Sequence, residues 1–206
     1  MEFPEIIFEN SDYLILNKPS GWLSIPAREP QVKDQVLSEW IRGTHGSEAW
    51  IIHRLDRYTS GIIIYAKTKS AHQEGSSWFQ DRKIKKTYQF LASPPPRQPA
   101  IQIREPVDGK PSQTLFEVIQ KNDSAFFGKA TPLTGRFHQI RAHASFAGFP
   151  ILGDQKYNGK LSLLVGDKLV SFPRFCLHAF ELQLPFGTFQ APLAKDLLEL
   201  KGKLFA

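Results

Sequence analysis

Short hydrophobic runs separated by polar turns predict that much of the chain forms β-strands. Two of these runs open the sequence, at about Ile6–Phe8 and Tyr13–Asn17, on either side of the turn ENSD. The other strand-like runs are GIIIYAK, KKTYQFLAS, TLFEVIQ, SAFFGKATPL, KLSLLVGDKLVS and FCLHAFELQLPFG. The run GIIIYAK is apolar at successive positions, which is typical of a strand buried on both faces.

Three other segments predict helices. The apolar residues of the segment VKDQVLSEWIRG recur at helical spacing: Val32, Val36, Leu37, Trp40 and Ile41. This helix is predicted to end at Gly43. The segment AHQEGSSWFQDRKI predicts a second helix. A third helix, from about Phe137 to Ala147, would end at Gly148 in a left-handed cap, with Pro150 preventing its continuation.

Many short strands mixed with few helices indicate an α+β fold rather than a regular alternation of strands and helices. A length of 206 residues allows one large domain or two small lobes with a proper core. The proline-dense stretch Ser93–Ala100 can be neither a helix interior nor a central strand. It is therefore predicted to be a surface loop between lobes.

Composition and charge exclude several classes of protein. No run approaches the ~18 apolar residues that span a bilayer, and the acidic N-terminus lacks the features of a secretory signal. The single cysteine, Cys176, excludes an intramolecular disulfide and a cysteine-rich metal site, and it fits a reducing cytoplasm. A net charge of +6 is compatible with a polyanionic partner such as RNA or DNA. We expect a cytoplasmic protein with no membrane partner.

The stretch HRLDRYTSG places Asp56 between Arg54 and Arg57. An aspartate has an ordinary pKa of about 3.9, so it is ionised at neutral pH and can act as a nucleophile or base. Removal from water raises that pKa unless a cation lies within ~4–6 Å. Two interpretations follow: Asp56 pairs with a neighbouring arginine on a solvated loop, or a distant cation such as Arg136 or Arg141 keeps it charged in a dry pocket.

Other motif-like stretches do not carry the chemistry that they resemble. HRLD differs from the protein-kinase HRD loop, because the acid is one place late and no glycine-rich loop is present. His138 and His143 are five positions apart rather than the four of a zinc-binding helix, and no glutamate lies between them. We interpret them as one hydrogen-bonded core or cleft histidine and one surface histidine. GDQKY and YNGK lack phosphate-loop spacing. No metal site is predicted.

Five stretches resemble, in their order, the motifs of the RluA family of pseudouridine synthases. They are KPSGWLSIP, HRLDRYTSGIIIYAK, VDGKPSQTLFEVI, TGRFHQIRAHASFAGFPILGDQKYNG and CLHAFELQLPFG. The resemblance covers roughly Ile6 to Phe189, nearly the whole chain. The resemblance implies a pseudouridine synthase fold: a mixed, largely antiparallel sheet in two lobes with a central RNA-binding cleft. Residues 1–206 would form a single catalytic domain. We expect no N-terminal RNA-binding domain, because the first motifs begin near residue 13.

The resemblance also implies the reaction. The enzyme would cleave the glycosidic bond of a uridine within RNA, rotate the base and rejoin it through carbon 5, without a cofactor. Asp56 matches the essential carboxylate of the family, which either attacks the anomeric carbon or removes a proton from the sugar. A hydrolytic glycosidase needs two carboxylates, whereas here the base leaves and returns, so one can suffice.

The remaining site residues are carried over from the motifs. Arg54 would enter the space that the flipped nucleotide vacates, and Tyr88 would stack on the uracil and help to remove the carbon 5 proton. Arg141 would pair with Asp56. Leu177 would border the uracil pocket, although core packing is an alternative interpretation.

Further residues are assigned to RNA binding. Arg136, His138 and Lys86 are predicted to contact the substrate. Other basic residues could line the RNA path or could equally be solvated surface charges: Lys18, Arg28, Arg82, Lys83 and Lys85. The sequence departs from the family at Phe137, where threonine is usual, and at Tyr58, where a smaller or acidic residue is common. These departures bear on substrate fit rather than on chemistry.

The expected partner is a tRNA or rRNA stem-loop, with tRNA favoured, acted on by a monomer; DNA is not expected as a partner. Two alternative functions are a non-catalytic RNA chaperone on the same fold and a glycosidase or nucleosidase for small substrates. The presence of the three predicted catalytic residues argues against a chaperone. The missing second carboxylate argues against hydrolysis.

Overall fold

A computed structural model describes residues 2–29, 31 and 34–205. The chain divides into two compact units. The first consists of Met1–Lys85 and Ala179–Pro192, and the second of Lys86–His178 and Leu193–Ala206. The chain therefore passes from one unit to the other three times.

Within the described residues the chain forms four α-helices and twelve β-strands. The helices are α1 (Leu37–His45), α2 (Lys69–Gln80), α3 (Gln139–Phe146) and α4 (Lys195–Phe205). The first six strands are β1 (Glu5–Glu9), β2 (Tyr13–Lys18), β3 (Trp50–Ile51), β4 (Ser60–Ala66), β5 (Lys85–Ala92) and β6 (Ala100–Ile103). The others are β7 (Thr114–Lys121), β8 (Phe126–Pro132), β9 (Ser162–Val165), β10 (Lys168–Ser171), β11 (Leu177–Leu184) and β12 (Gly187–Gln190). This mixture confirms the predicted α+β class.

The first unit is organised around β4. Strand β2 lies antiparallel between β1 and β4, in a register that pairs Tyr13 with Ala66 and Lys18 with Gly61. Every residue of β4 is buried, as the run GIIIYAK predicts. Strand β3 also pairs with β4, and β11 pairs with β12, both antiparallel.

The second unit contains an antiparallel arrangement in the order β5, β8, β7, β6, and a separate hairpin of β9 and β10. Its core includes four phenylalanine rings that meet edge to face: Phe90, Phe116, Phe126 and Phe149. Edge-to-face contacts align the positive rim of one ring with the negative face of the next. Helices α3 and α4 pack residues such as Ile140 and Leu197 into the same core.

Several helix ends differ from the prediction. Helix α2 ends at Gln80 rather than at Ile84. Helix α1 continues through Gly43 and ends before Gly46, whose left-handed backbone (φ 59°) lets its N–H donate to the carbonyl of Arg42. Val32, predicted to begin this helix, lies outside the described residues. Helix α3 begins at Gln139 rather than near Phe137, because His138 is itself left-handed.

The prediction that Ser93–Ala100 connects two lobes is wrong. The stretch lies within the second unit, between β5 and β6. Its own hydrogen bonds fasten it there, since the Ser93 hydroxyl donates to the carbonyl of Ser124 and the Val118 N–H donates to the carbonyl of Pro99. The passages between units fall instead at the start of β5, within β11 and after Pro192.

Candidate active site

Asp56 lies in an irregular loop that leads into β4. Arg54 is exposed, Leu55 is buried and Asp56 is half-buried. This alternation is typical of an extended segment, in which Arg54 and Asp56 would project to the same side. The carbonyl of Asp56 accepts a hydrogen bond from the Thr59 N–H at 3.0 Å, which closes the turn before the strand.

Lys18 anchors this loop from the neighbouring turn. The Lys18 ammonium donates to the carbonyl oxygens of Pro19, Trp22 and Arg57 at 3.0, 2.9 and 3.0 Å. Its side chain is fully buried. The interpretation that Lys18 lines the RNA path is therefore wrong: the three N–H donors of the ammonium meet protein carbonyls in the interior.

Three further contacts fix the backbone on each side of Asp56. The Gly21 N–H donates to the carbonyl of Arg57 at 2.9 Å, from a left-handed conformation (φ 89°) that favours glycine. The Ser24 hydroxyl both donates to the carbonyl and accepts from the N–H of Leu55. The carbonyl of Ser24 in turn accepts from the buried Tyr65 hydroxyl at 2.6 Å. The Asp56 carboxylate thus projects from a backbone held at positions 55 and 57.

The side chain of Arg57 is directed to a different acid. Its Nη1 lies 3.0 Å from Oδ1 of Asp34, and its Nε donates to the carbonyl of Gly21 at 3.1 Å. The Asp34 side chain is only 5% exposed. Arg57 therefore helps to build the loop, which weakens the interpretation that it is the counter-ion of Asp56.

In the second unit, Arg141 is buried and held rigidly. Its Nε and Nη2 donate to the two carboxylate oxygens of Asp154 at 2.6 and 2.8 Å, a bidentate ion pair. The guanidinium also lies 4.0 Å from the ring centroid of Phe175 and 5.1 Å from that of Tyr157. Asp154 was missed at the sequence level, where GDQKY was assessed only for phosphate-loop spacing. The sequence feature that could have identified Asp154 is its position in the same family motif as Arg141.

The backbone around Asp154 requires glycine at two positions. Gly153 is left-handed (φ 81°), and a Cβ there would overlap the carbonyl of Arg174. A Cβ on Gly159 would overlap the carbonyl of Ile151. The N–H of Gly159 donates to the carbonyl of Asp154 at 2.8 Å. These close approaches fold the GDQKYNG stretch into a tight turn that presents Asp154 to Arg141.

Gln139 organises the entrance to α3 and was also missed. Its Oε1 accepts from the Thr134 hydroxyl at 2.6 Å and from the Arg136 N–H at 3.0 Å. Its Nε2 donates to the carbonyl of Gln113 and to the hydroxyl of Thr114. One buried amide therefore ties the TGR segment to the start of β7. The only feature of the sequence that could have indicated this role is the presence of a glutamine in the motif HQIR.

The two motif histidines occupy different environments. His138 is half-buried, with Nδ1 3.1 Å from the Tyr157 hydroxyl. His143 is the core histidine: its Nε2 lies 2.8 Å from the carbonyl of Glu105 and its Nδ1 2.9 Å from the Thr114 hydroxyl. Burial lowers the pKa of His143, since the interior disfavours the imidazolium.

The other predicted site residues of the second unit lie on strands. Tyr88 and Lys86 are both half-buried on β5, where Tyr88 pairs with Ala130 of β8. Burial lowers the pKa of Lys86. Leu177 is 3% exposed and belongs to the core of this unit, which favours the packing interpretation for that residue. Its position beside a uracil stays a prediction.

The family model described as RNA pseudouridylate synthase matches residues 12–146 of the chain. The chain belongs to this family. A curated relative, the dual-specificity RNA pseudouridine synthase RluA of Pasteurella multocida, is 33% identical over 96% of this chain and 92% of its own length. The RluA of Haemophilus influenzae is 36% identical over 87% of this chain and 86% of its own length. The resemblance to the RluA family is thereby confirmed.

A solved structure supports the fold of this pseudouridylate synthase. The human protein titled RNA pseudouridylate synthase domain containing 4 superimposes with a TM-score of 0.79 over 97% of this chain and 92% of the human chain, at 23% identity. This similarity confirms the predicted pseudouridine synthase fold.

The predicted site residues of this pseudouridine synthase fall into two groups. Arg54 and Asp56 share the anchored loop of the first unit. The others lie in the second unit: Lys86, Tyr88, Arg136, His138, Arg141 and Leu177. Across the described ranges, no three His, Cys, Asp or Glu side chains are grouped as metal ligands. None of the described helices combines the length and apolar character needed to cross a membrane.

Proposed function

We propose that this RNA pseudouridine synthase uses Asp56 as its one essential carboxylate. The observation that supports the proposal is the set of hydrogen bonds that hold the backbone on both sides of Asp56. Lys18, Gly21 and Ser24 fix the backbone at Leu55 and Arg57, so the backbone from which the Asp56 carboxylate projects is held in place. Fixing a reacting group in advance lowers the entropy that the transition state would otherwise lose.

The reaction balances without water or a cofactor. The bond from uracil N1 to the sugar C1′ breaks, the base rotates, a bond from C5 to C1′ forms, C5 loses a proton and N1 gains one. Asp56 either attacks C1′ or removes a proton from the sugar to allow cleavage. Because the base returns to the same sugar, no second carboxylate is required to activate water.

Arg141 is proposed to supply the positive charge that keeps Asp56 ionised when RNA excludes water. Its guanidinium is buried and oriented by Asp154 and Phe175. An arginine has five N–H donors and cannot lose its charge at physiological pH, so it can serve more than one carboxylate.

The remaining roles complete the proposal. Tyr88 stacks on the flipped uracil and assists proton removal from C5, and Arg54, exposed on the loop of Asp56, fills the vacated space in the RNA. Lys86, Arg136 and His138 contact the RNA backbone or the target nucleotide. Phosphate contacts of this kind give affinity that weakens with salt.

The favoured substrate is a tRNA or rRNA stem-loop. Support comes from the relatives, which are named dual-specificity RNA pseudouridine synthases, and from the net charge of +6. We further propose that residues 1–206 act as one catalytic domain, as a monomer, in the cytoplasm.

The direct test uses unmodified tRNA and rRNA transcripts that carry tritium at uracil C5. The wild-type chain should release tritium to water, and Asp56→Asn should abolish release while it unfolds at the same urea concentration. Asp123→Asn, a change of the same kind on an exposed turn, is the matched control and should retain full release. Full activity of Asp56→Asn would overturn the assignment of Asp56. Binding of RNA without any release would indicate a chaperone, and liberation of uracil would indicate a glycosidase.

A further inference from the structure

Phe137 is a large apolar side chain exposed to solvent at the entrance of α3. Its exposed fraction is 61%. Burial of a large apolar side chain favours folding, and the exposed ring of Phe137 does not gain that stabilisation. A single exposed apolar side chain is common on protein surfaces, so a functional role for Phe137 has to follow from the residues around it.

The ring of Phe137 is held in place by its neighbours. It stacks on the imidazole of His138 with centroids 3.7 Å apart and planes at 23°. The left-handed backbone of His138 (φ 54°) produces this arrangement of successive side chains. His138 is itself fixed by the Tyr157 hydroxyl at 3.1 Å and by an edge-to-face contact with the Tyr157 ring. Phe137 is therefore a supported, flat and outward-facing surface.

A cation borders this surface. The Lys156 ammonium lies 6.0 Å from the ring centroid of Phe137 and 5.7 Å from that of Tyr157. Lys156 is exposed, and its charge can reach a phosphate beside the ring. An exposed aromatic face beside a lysine matches a nucleotide, which combines a flat base with an anionic phosphate.

We infer that Phe137, supported by His138 and flanked by Lys156, forms a stacking platform for a base of the RNA substrate other than the target uridine. The inference rests on the proposed function, because it requires an RNA substrate. Tyr157 connects this platform to the reaction, since the ring that supports His138 also contacts the guanidinium of Arg141. The stacked base would belong to a nucleotide close to the one that reacts.

The test uses a fluorescent reporter on the platform and a matched control. Phe137→Trp introduces an indole at the platform, and Phe146→Trp introduces one at the far end of α3, where the native ring is 64% exposed. Addition of the unmodified tRNA and rRNA transcripts should quench the indole at position 137 much more than that at position 146, because stacking on a base quenches tryptophan. Equal quenching of the two variants would overturn the inference.

Affinity provides a second readout. Phe137→Ala should raise the KM for tritium release about ten-fold, as expected for the loss of one stacked base. Phe137→Tyr should remain close to wild type, and Phe146→Ala should leave KM unchanged. An unchanged KM for Phe137→Ala with normal wild-type release would overturn the platform alone. Absence of tritium release by the wild-type chain would instead overturn the proposed function and the platform with it.

Discussion

The buried ammonium of Lys18 donates a hydrogen bond to the carbonyl of Arg57, 39 positions away, at 3.0 Å. This contact joins the turn KPSG to the loop that carries Asp56. A charged side chain in the interior requires polar partners, and the carbonyls of Pro19 and Trp22 supply two more. On the proposed function, Lys18 is thus a positioning residue for Asp56.

Lys18→Met should therefore reduce both stability and turnover. The apolar side chain would remove the Lys18 donor from three carbonyls. The carbonyl of Arg57 keeps the Gly21 N–H as a donor, whereas those of Pro19 and Trp22 would be left unsatisfied, at a cost of about 1–3 kcal/mol each. We expect the free energy of unfolding, measured in urea, to fall by at least about 2 kcal/mol. Lys69→Met, on the exposed start of α2, should change it by less than about 0.5 kcal/mol. A stable Lys18→Met variant with full tritium release would contradict the role in positioning.

The sequence predicts local features well and distant partners poorly. The burial of β4 follows from its own composition, so it was predictable. The burial of Lys18 depends on carbonyls brought from Trp22 and Arg57 by the fold, and no local pattern reports that. Asp154 and Gln139 were missed for the same reason: each acts through partners on other elements. Even where a motif identifies Arg141, the acid that orients it becomes visible only in three dimensions.

The prediction that α1 ends at Gly43 was wrong for a different reason. A glycine inside a helix lowers the stability of the helix by only about 0.5–1 kcal/mol relative to alanine. The packing of the buried Leu37 and Ile41 can offset this cost, so the helix continues past Gly43. Among the described residues, and apart from its chain neighbours and the backbone of its own helix, no atom lies within 4 Å of a Cβ added at Gly43. Gly43→Ala should raise the free energy of unfolding by about 0.4–1 kcal/mol.

Gly61→Ala should have the opposite effect. Gly61 has φ of 107°, and its Cβ would overlap the carbonyl of Ala179. We expect a loss of at least about 3 kcal/mol in the free energy of unfolding, because backbone strain and a steric clash add. Gly43→Ala is the matched control. Equal thermal melting of the two variants would show that the backbone at position 61 relaxes without cost.

His143 should make the stability of the fold depend on pH. Its folded pKa lies below the unfolded value of about 6.5, so the unfolded chain binds the proton more readily. The stabilising contribution of the neutral ring is complete above pH ~6.5 and is lost as pH falls through the folded pKa. Each unit of difference between the two pKa values contributes about 1.4 kcal/mol.

Urea unfolding between pH 5 and 8 measures this contribution. His143→Gln should weaken the fall in stability below pH ~6.5, since the group responsible is removed. A His143→Gln profile parallel to that of the wild type would assign the pH dependence to other groups.

Arg141 and Asp154 form a buried ion pair. A single substitution of Arg141 would change both the stability of the fold and the turnover, so the two effects could not be separated. Arg141→Met would leave the Asp154 carboxylate buried without its partner, which costs about 3–5 kcal/mol. The double variant Arg141→Met/Asp154→Asn removes both charges and should recover most of that stability. Its tritium release should nevertheless remain at least about 100-fold below wild type, because the charge that is proposed to keep Asp56 ionised is absent.

The same unit offers a matched control for this double variant. Arg174 and Asp196 form a second bidentate pair, with distances of 2.7 and 2.8 Å, and neither belongs to the proposed catalytic group. Arg174→Met/Asp196→Asn should lower turnover by no more than its effect on stability explains. Near-normal turnover of Arg141→Met/Asp154→Asn would assign the counter-charge of Asp56 to Arg136 or another cation. Loss of RNA binding in that variant would place Arg141 in substrate binding, so tritium release and RNA affinity must be measured on the same preparations.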